Sequence, residues 1–135
     1  MNEKEMVFSG KRKRAVAKAR ISSGNGDIRI NQENYQKLNY LDKLRIEEPL
    51  RIAKKVLGNL NFNVEIIVRG GGEKGRLEAC RLALARAISN FSNSEELTLS
   101  LMKYDRSLLI ADVRRKETYK PGDSKARKKR QKSYR

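Results

Sequence analysis

The chain contains no histidine. That removes the commonest general base and the commonest zinc ligand. Its single cysteine, Cys80, excludes an internal disulfide and a cysteine-based zinc site. No apolar run approaches about 18 residues, the length at which a helix can span a bilayer. The opening Met1-Asn2-Glu3-Lys4-Glu5 is charged and leads into no long apolar segment, so no secretory signal is expected. Acid is scarce as well: 16 Asp and Glu stand against 32 Lys and Arg, a formal net charge of +16 in 135 residues. Charged residues make up 36%, where about 25% is usual, and hydrophobic residues only 38%. These absences leave one cytosolic domain that binds a polyanion, with no metal, no cofactor, no membrane segment and no small-molecule substrate.

The positive charge is concentrated. Residues 10–20 hold Lys11, Arg12, Lys13, Arg14, Lys18 and Arg20 with no acid. Residues 113–135 hold eleven basic side chains against Glu117 and Asp123, a net +9. Residues 21–112 are nearly neutral, at net +2. The chain therefore divides into a globular domain, 1–112, and a basic tail, 113–135. From Arg114 onward the only larger apolar residues are Tyr119 and Tyr134, and Pro121-Gly122-Asp123-Ser124 breaks any periodic pattern. Such a segment buries too little surface to offset the entropy of ordering it. It is expected to be disordered when free and to order along a polyanion.

Within the domain the periodicity changes along the chain. Gly10 to Ser22 alternates as one strand, with Ala15, Ala17, Ala19 and Ile21 on one face and Arg12, Arg14, Lys18 and Arg20 on the other. Asn25-Gly26 predicts a hairpin turn into a return strand, Asp27-Ile28-Arg29-Ile30. The basic face of that hairpin suits a phosphate backbone. Pro49 predicts a helix start, with Leu50, Ala53 and Leu57 as its apolar stripe and Gly58 as its stop. Glu47-Glu48 and Glu95-Glu96 read as charges at helix N-termini. Phe62 to Arg69 predicts a strand with Val64, Ile66 and Val68 on one face. A strong helix is expected after Gly75, with Leu77, Cys80, Leu84, Ile88 and Phe91 at helical spacing. Cys80 on that stripe reads as a small core residue. Ser92 and Glu95 resemble a capping box for a further helix carrying Leu97, Leu101 and Tyr104, although Leu97, Leu99 and Leu101 also fit a strand. Leu108, Leu109 and Ile110 would anchor the last packed segment. The order of elements predicts an α+β fold, a two-layer α/β sandwich with helices on one face of a small sheet.

Gly70, Gly72 and Gly75 match a dinucleotide-binding pattern between strand and helix. No second parallel strand or ribose-binding acid follows at the right distance. Arg76-Leu77 also stands where a P-loop requires Lys-Ser or Lys-Thr. The physics of the loop survives the loss of both motifs. Gly70, Gly71, Gly72 and Gly75 let backbone approach backbone, the helix N-terminus offers free N–H groups, and Lys74 and Arg76 add charge. The expected ligand is an RNA phosphate; the same glycines also fit a tight strand-to-helix turn that holds no ligand.

Five segments in order resemble the universal small-subunit ribosomal protein nine family, in its archaeal form. They are Gly10–Arg20, Gly24–Asn31, Val68–Gly72 with Gly75, Ala79, Arg81 and Ala85–Ala87, Tyr104–Leu109 with Asp112, Arg114 and Arg115, and Lys125–Arg135. Two positions depart from the family pattern: Val113 stands where many members have proline, and Arg76-Leu77 replaces Gln-Ala. The resemblance implies a left-handed βαβ crossover in the sandwich, followed by a long basic C-terminal extension. It implies residence in the head of the small subunit, in the cytoplasm, bound to the 3′ major domain of its rRNA and to neighbouring ribosomal proteins. It adds Arg106, Arg114, Arg115, Lys125, Arg127, Lys128, Lys129 and Arg130 to the expected rRNA contacts. It also implies that Lys132, Ser133, Tyr134 and Arg135 reach the anticodon stem-loop of peptidyl-site tRNA. Two other classes stay open on composition alone: a free-standing RNA-binding module or chaperone, and a small nucleotide-dependent enzyme built on Gly70–Gly75.

Overall fold

Strand and helix periods alternate along the chain, and a computed structural model turns them into two layers. Among its described residues (5–122, 125–129 and 131–134) there are five strands: β1 Met6–Arg12, β2 Ala15–Ser23, β3 Ile28–Ile30, β4 Glu33–Asn34 and β5 Phe62–Arg69. The helices are α1 Tyr40–Leu57, α2 Glu73–Ser92 and α3 Glu95–Tyr104. One mixed sheet has the order β1-β2-β5-β3-β4, and the helices cover one of its faces. The fold is α+β, as the order of elements predicts.

Strand β5 lies at the centre. Phe62, Val64, Ile66 and Val68 are buried on the helix side, and Ile67 is 47% exposed on the other. Burial of each of these larger side chains contributes about 1.5–3 kcal/mol. The β2 side is lined by smaller residues. Ala15, Ala17 and Ala19 face Ala79, Ala83 and the rest of α2, so helix and sheet approach closely there. Gly10 of β1 sits at the tightest point of that approach. A Cβ on it would lie 2.3 Å from the Ala79 carbonyl oxygen and 2.6 Å from the Ala83 nitrogen.

The hairpin predicted at Asn25-Gly26 does not form. Strands β2 and β3 both pair with β5, antiparallel and parallel respectively, and do not pair with each other. The reason is local hydrogen bonding to the start of β5. Gly26 N–H donates to the Phe62 carbonyl at 2.9 Å, and Asn25 and Asp27 N–H both donate to Asn63 Oδ1 at 3.0 Å. The 24–27 loop thus wraps around β5. The hairpin that does form joins β1 to β2 through Lys13-Arg14, with Lys13 at φ 52°. The single strand expected from Gly10 to Ser22 is therefore two. One consequence is a changed face for Arg12: it points to the helix side of β1, away from Lys18 and Arg20.

The first helix begins nine residues before Pro49, at Tyr40. Pro49 removes one backbone donor from the helix interior, the one that would bond the Arg45 carbonyl. Its ring is buried beside Ile46, Leu50 and Ala53, so packing overrides that loss, while Leu57 lies outside the stripe at 37% exposed. Glu47 and Glu48 are consequently mid-helix and not N-terminal. Glu47 pairs with Arg51 one turn on, and Glu48 reaches Arg81 of α2. Helix α2 starts at Glu73, two residues before Gly75, and runs through Ser92. The cap of α3 is therefore Ser94, whose hydroxyl accepts from Leu97 N–H, and not Ser92. The 95–104 segment is a helix: Leu97 and Leu101 are buried, and Leu99 and Tyr104 are exposed.

Candidate nucleic-acid interface

The two glycines that open the loop after β5 are held in the left-handed region, at φ 77° for Gly70 and φ 66° for Gly71. Both lie against the β1–β2 turn. A Cβ on Gly70 would lie 2.6 Å from the Arg14 carbonyl oxygen, and one on Gly71 would lie 2.9 Å from the Ala15 nitrogen. Only glycine combines these angles with that contact. The loop is thus shaped by the turn it packs on, and the two together present one surface. Gly72 caps α2 with open space around it, and Gly75 lies within the first helical turn.

A third segment meets them there. The chain leaves the domain after a 3₁₀ turn at Arg106–Leu108, and its next residues return past the β1–β2 turn. Arg12, Lys13, Arg14, Gly71, Gly72, Arg114, Arg115 and Lys116 line a cavity of about 660 Å³. Six of these eight are cations and none is an acid. Among the described residues, no carboxylate pairs with Lys13, Arg14, Arg115 or Lys116. Like charges gathered this closely repel one another, and a polyanion relieves that repulsion.

Behind the cavity an ionic joint holds the pieces. Arg12 Nε donates to Glu78 of α2 at 2.6 Å, and Arg12 Nη1 lies 2.6 Å from Asp112 Oδ2. Asp112 also accepts from Arg114, at 2.7 Å from Nη2 and 2.9 Å from its backbone N–H. Those hydrogen bonds from Arg114, with the charge of Arg12 beside them, hold the Asp112 carboxyl far below the usual carboxylate range. A second joint ties α1, α2 and the 3₁₀ turn, where Arg81 bridges Glu48 and Asp105.

The uncovered sheet face continues the basic surface. In register across the strands stand Lys11, Val16 and Arg69, then Ser9, Lys18 and Ile67, then Val7, Arg20, Glu65 and Arg29. Lys11, Lys18 and Arg20 are exposed there as expected. Arg20 is less free than the sequence suggests, because Glu65 lies opposite it and Glu5 Oε2 is 3.9 Å away. Arg69 and Arg29 belong to this face and Lys116 to the cavity, and none of the three was singled out from sequence. The strand alternation of β5 was the signal for Arg69.

Other expected residues lie elsewhere. Lys74 faces Asp42 of α1 at 3.5 Å, and Arg76 Nε donates to the Gly70 carbonyl at 2.9 Å; neither lines the cavity with Lys13 and Arg14. Arg106 is exposed on its 3₁₀ turn. Lys125, Arg127, Lys128 and Lys129 are exposed, as are Lys132, Ser133 and Tyr134, and Arg127 pairs with Glu117 at 2.8 Å. Arg130 and Arg135 lie outside the described residues. Burial pushes the Cys80 thiol up to about 12, so it is no nucleophile at neutral pH. Among the described residues no cluster of metal-ligating side chains occurs, and no helix is long and apolar enough to cross a membrane.

Residues 10–135 match the family model described as ribosomal protein S9/S16. Two similar chains are the small ribosomal subunit protein uS9 of Methanococcus vannielii, 40% identical over 130 residues, and that of Methanococcus maripaludis, 42% identical over 130 residues. Each alignment covers 93% of this chain and 95% of the relative.

Proposed function

The chain belongs to the ribosomal protein S9/S16 family, and from that premise we propose that it is a structural component of the small ribosomal subunit that binds its rRNA. Its homologues are ribosomal proteins and not enzymes. The observation that carries the reading is the convergence of three segments, far apart in sequence, on one cavity with six cations and no acid. A cluster of that kind is a footprint for phosphate oxygens, which position RNA without reading its sequence.

In this reading the domain fixes the position of the chain in the subunit head, on the 3′ major domain. Lys13, Arg14, Gly71, Gly72, Arg114 and Arg115 hold phosphates at the cavity, and Lys11, Lys18 and Arg20 hold them on the sheet face. Gly70, Gly75, Lys74, Arg76 and Arg106 contact rRNA outside the cavity, and Arg12 braces the site from behind. Neighbouring proteins of the head pack on what remains. The crossover from β3 through α1 to β5 has the left-handed sense, and the basic segment after Asp112 serves as an extension that lies along RNA. Its basic residues, Lys125 to Arg130, neutralise rRNA phosphates in places a folded domain cannot enter. Lys132, Ser133, Tyr134 and Arg135 approach the anticodon stem-loop of peptidyl-site tRNA. There the Arg135 guanidinium can hold a phosphate through two hydrogen bonds and Tyr134 can stack.

Binding to a transcript of the 3′ major domain, against an unrelated RNA of equal length, tests the rRNA assignment. A preference of about a hundredfold or more at physiological salt is expected, within the range for specific complexes. Equal binding to both RNAs would make the chain a free-standing RNA-binding module. For the tRNA assignment, purified subunits whose chain lacks Tyr134 and Arg135 should assemble normally and lose peptidyl-site tRNA faster. Unchanged retention rejects that role.

A further inference from the structure

We propose that Asp112, an acid behind the basic cavity, is a positioning residue: it fixes the root of the tail beside the β1–β2 turn so that Arg114, Arg115 and Lys116 complete the cavity begun by Lys13 and Arg14. The inference rests on the RNA-binding reading above.

Asp112 is the acid that touches both sides of the junction. One of its oxygens is 2.6 Å from Arg12 on the last residue of β1. The same carboxylate accepts from Arg114 Nη2 at 2.7 Å, from Arg114 Nε at 2.9 Å, and from the Arg114 backbone N–H at 2.9 Å. Arg12 is tied in turn to Glu78 of α2. Sheet, helix and tail root are therefore linked through one carboxylate. The two halves differ in kind: Arg114 holds the carboxylate through hydrogen bonds, and Arg12 through charge alone. The Arg12 side chain is 16% exposed and little screened, whereas Arg114 is 78% exposed.

Among the described residues, residues 113–116 make no hydrogen bond or ion pair to the domain other than those through Asp112. Val113 is 85% exposed, so packing does not hold it. The Arg115 guanidinium bonds only to nearby carbonyls, at 3.1 Å to Arg114 and 3.4 Å to Asp112. Without the carboxylate, Arg12, Lys13 and Arg14 would repel Arg114, Arg115 and Lys116, and the tail root would swing away from the turn. RNA would then have to order those side chains as it bound.

Charge alone and positioning give effects of opposite sign. Asp112→Asn adds a unit of positive charge, and charge alone makes a polyanion bind more tightly and with a steeper salt dependence. If Asp112 positions the tail, Asp112→Asn binds the 3′ major-domain transcript about fivefold or more weakly, the factor expected when two long side chains must be ordered on binding. The slope of log affinity against log salt also becomes shallower by about 1–2, because fewer phosphates are neutralised together. Glu117→Gln is the comparator: it adds the same charge five residues further on, away from the junction, and should bind as tightly as the parent chain or more so. Asp112→Glu retains the carboxylate and should recover most of the affinity. Thermal melts of all four chains check that each is folded.

Tighter or unchanged binding by Asp112→Asn overturns the proposal while leaving the RNA reading intact. Weaker binding with an unchanged salt slope also overturns it, since that is the signature of a smaller folded fraction. Failure of Asp112→Glu to recover affinity contradicts the bridging role, and this variant carries the test if Asp112→Asn proves unfolded. If the parent chain shows no preference for the transcript, the RNA reading itself has failed.

Discussion

Removing residues 113–135 is expected to leave the domain folded and to weaken rRNA binding by about a hundredfold or more at physiological salt. The first half of that statement follows from the core. Among the described residues the last buried one is Leu108, and those beyond Asp112 are almost all exposed. The melting temperature should therefore move little. The second half follows from counterion release. The tail carries net +9 of the total +16. If tail, turn and sheet face together neutralise about ten phosphates, log affinity falls with log salt at a slope of about −7 to −9. The truncated domain, left with its turn and sheet face, should show a slope nearer −3. A full-length slope near −2 would mean that the basic segments do not bind together. An identical slope before and after truncation would mean that the tail does not bind.

The other large effect is on stability. Gly10→Val should lower the melting temperature by about 10 °C or more, since overpacking costs roughly 1–3 kcal/mol or above and each kcal/mol shifts a domain of this size by a few degrees. The two nearest atoms to a Cβ there are the Ala79 carbonyl oxygen at 2.3 Å and the Ala83 nitrogen at 2.6 Å. Both are helix backbone and cannot rotate aside. Helix α2 would have to lift from β1, separating Arg12 from Glu78 and disturbing the junction that carries the tail. A calorimetric scan measures the effect. A melt within about 2 °C of the parent chain would contradict the close approach of α2 to β1.

The contrast between Gly10 and its neighbours shows what sequence could convey. Strand β5 was legible to its ends because Phe62, Val64, Ile66 and Val68 alternate without interruption. The stripe of α2 was legible for the same reason, in the helical period. Pairing was not. Asn25-Gly26 is a strong local turn signal, but Asn63 collects both backbone donors beside it, and no local pattern places residue 63 there. The true hairpin turn, Lys13-Arg14, contains no glycine or asparagine, so its chemistry gave no warning. The start of α1 was hidden by the polar stretch Tyr40 to Glu48, whose stripe is weak until Ile46.

The interface was half legible for related reasons. Charge clusters are a property of sequence, and Lys11–Arg20 and the tail stood out at once. The junction behind them was not visible. Arg12 meets Glu78 and Asp112, partners 66 and 100 residues away, and its alternation within a supposed single strand pointed it to the wrong face. The glycine loop had the right residues for a phosphate cradle. What the sequence concealed was that Gly70 and Gly71 are first required by the Arg14–Ala15 backbone packed on them, and that Lys74 and Arg76 turn to other partners.

RNA binding, the placement of the tail and the role of Asp112 all require this chain to be an integral part of the small ribosomal subunit. The most direct measurement is sedimentation of cell lysate through sucrose gradients at low and moderate salt, with the fractions probed for the chain. One copy per small subunit, retained through the moderate-salt wash, is the expected result. A peak at the top of the gradient, free of subunits, would contradict it.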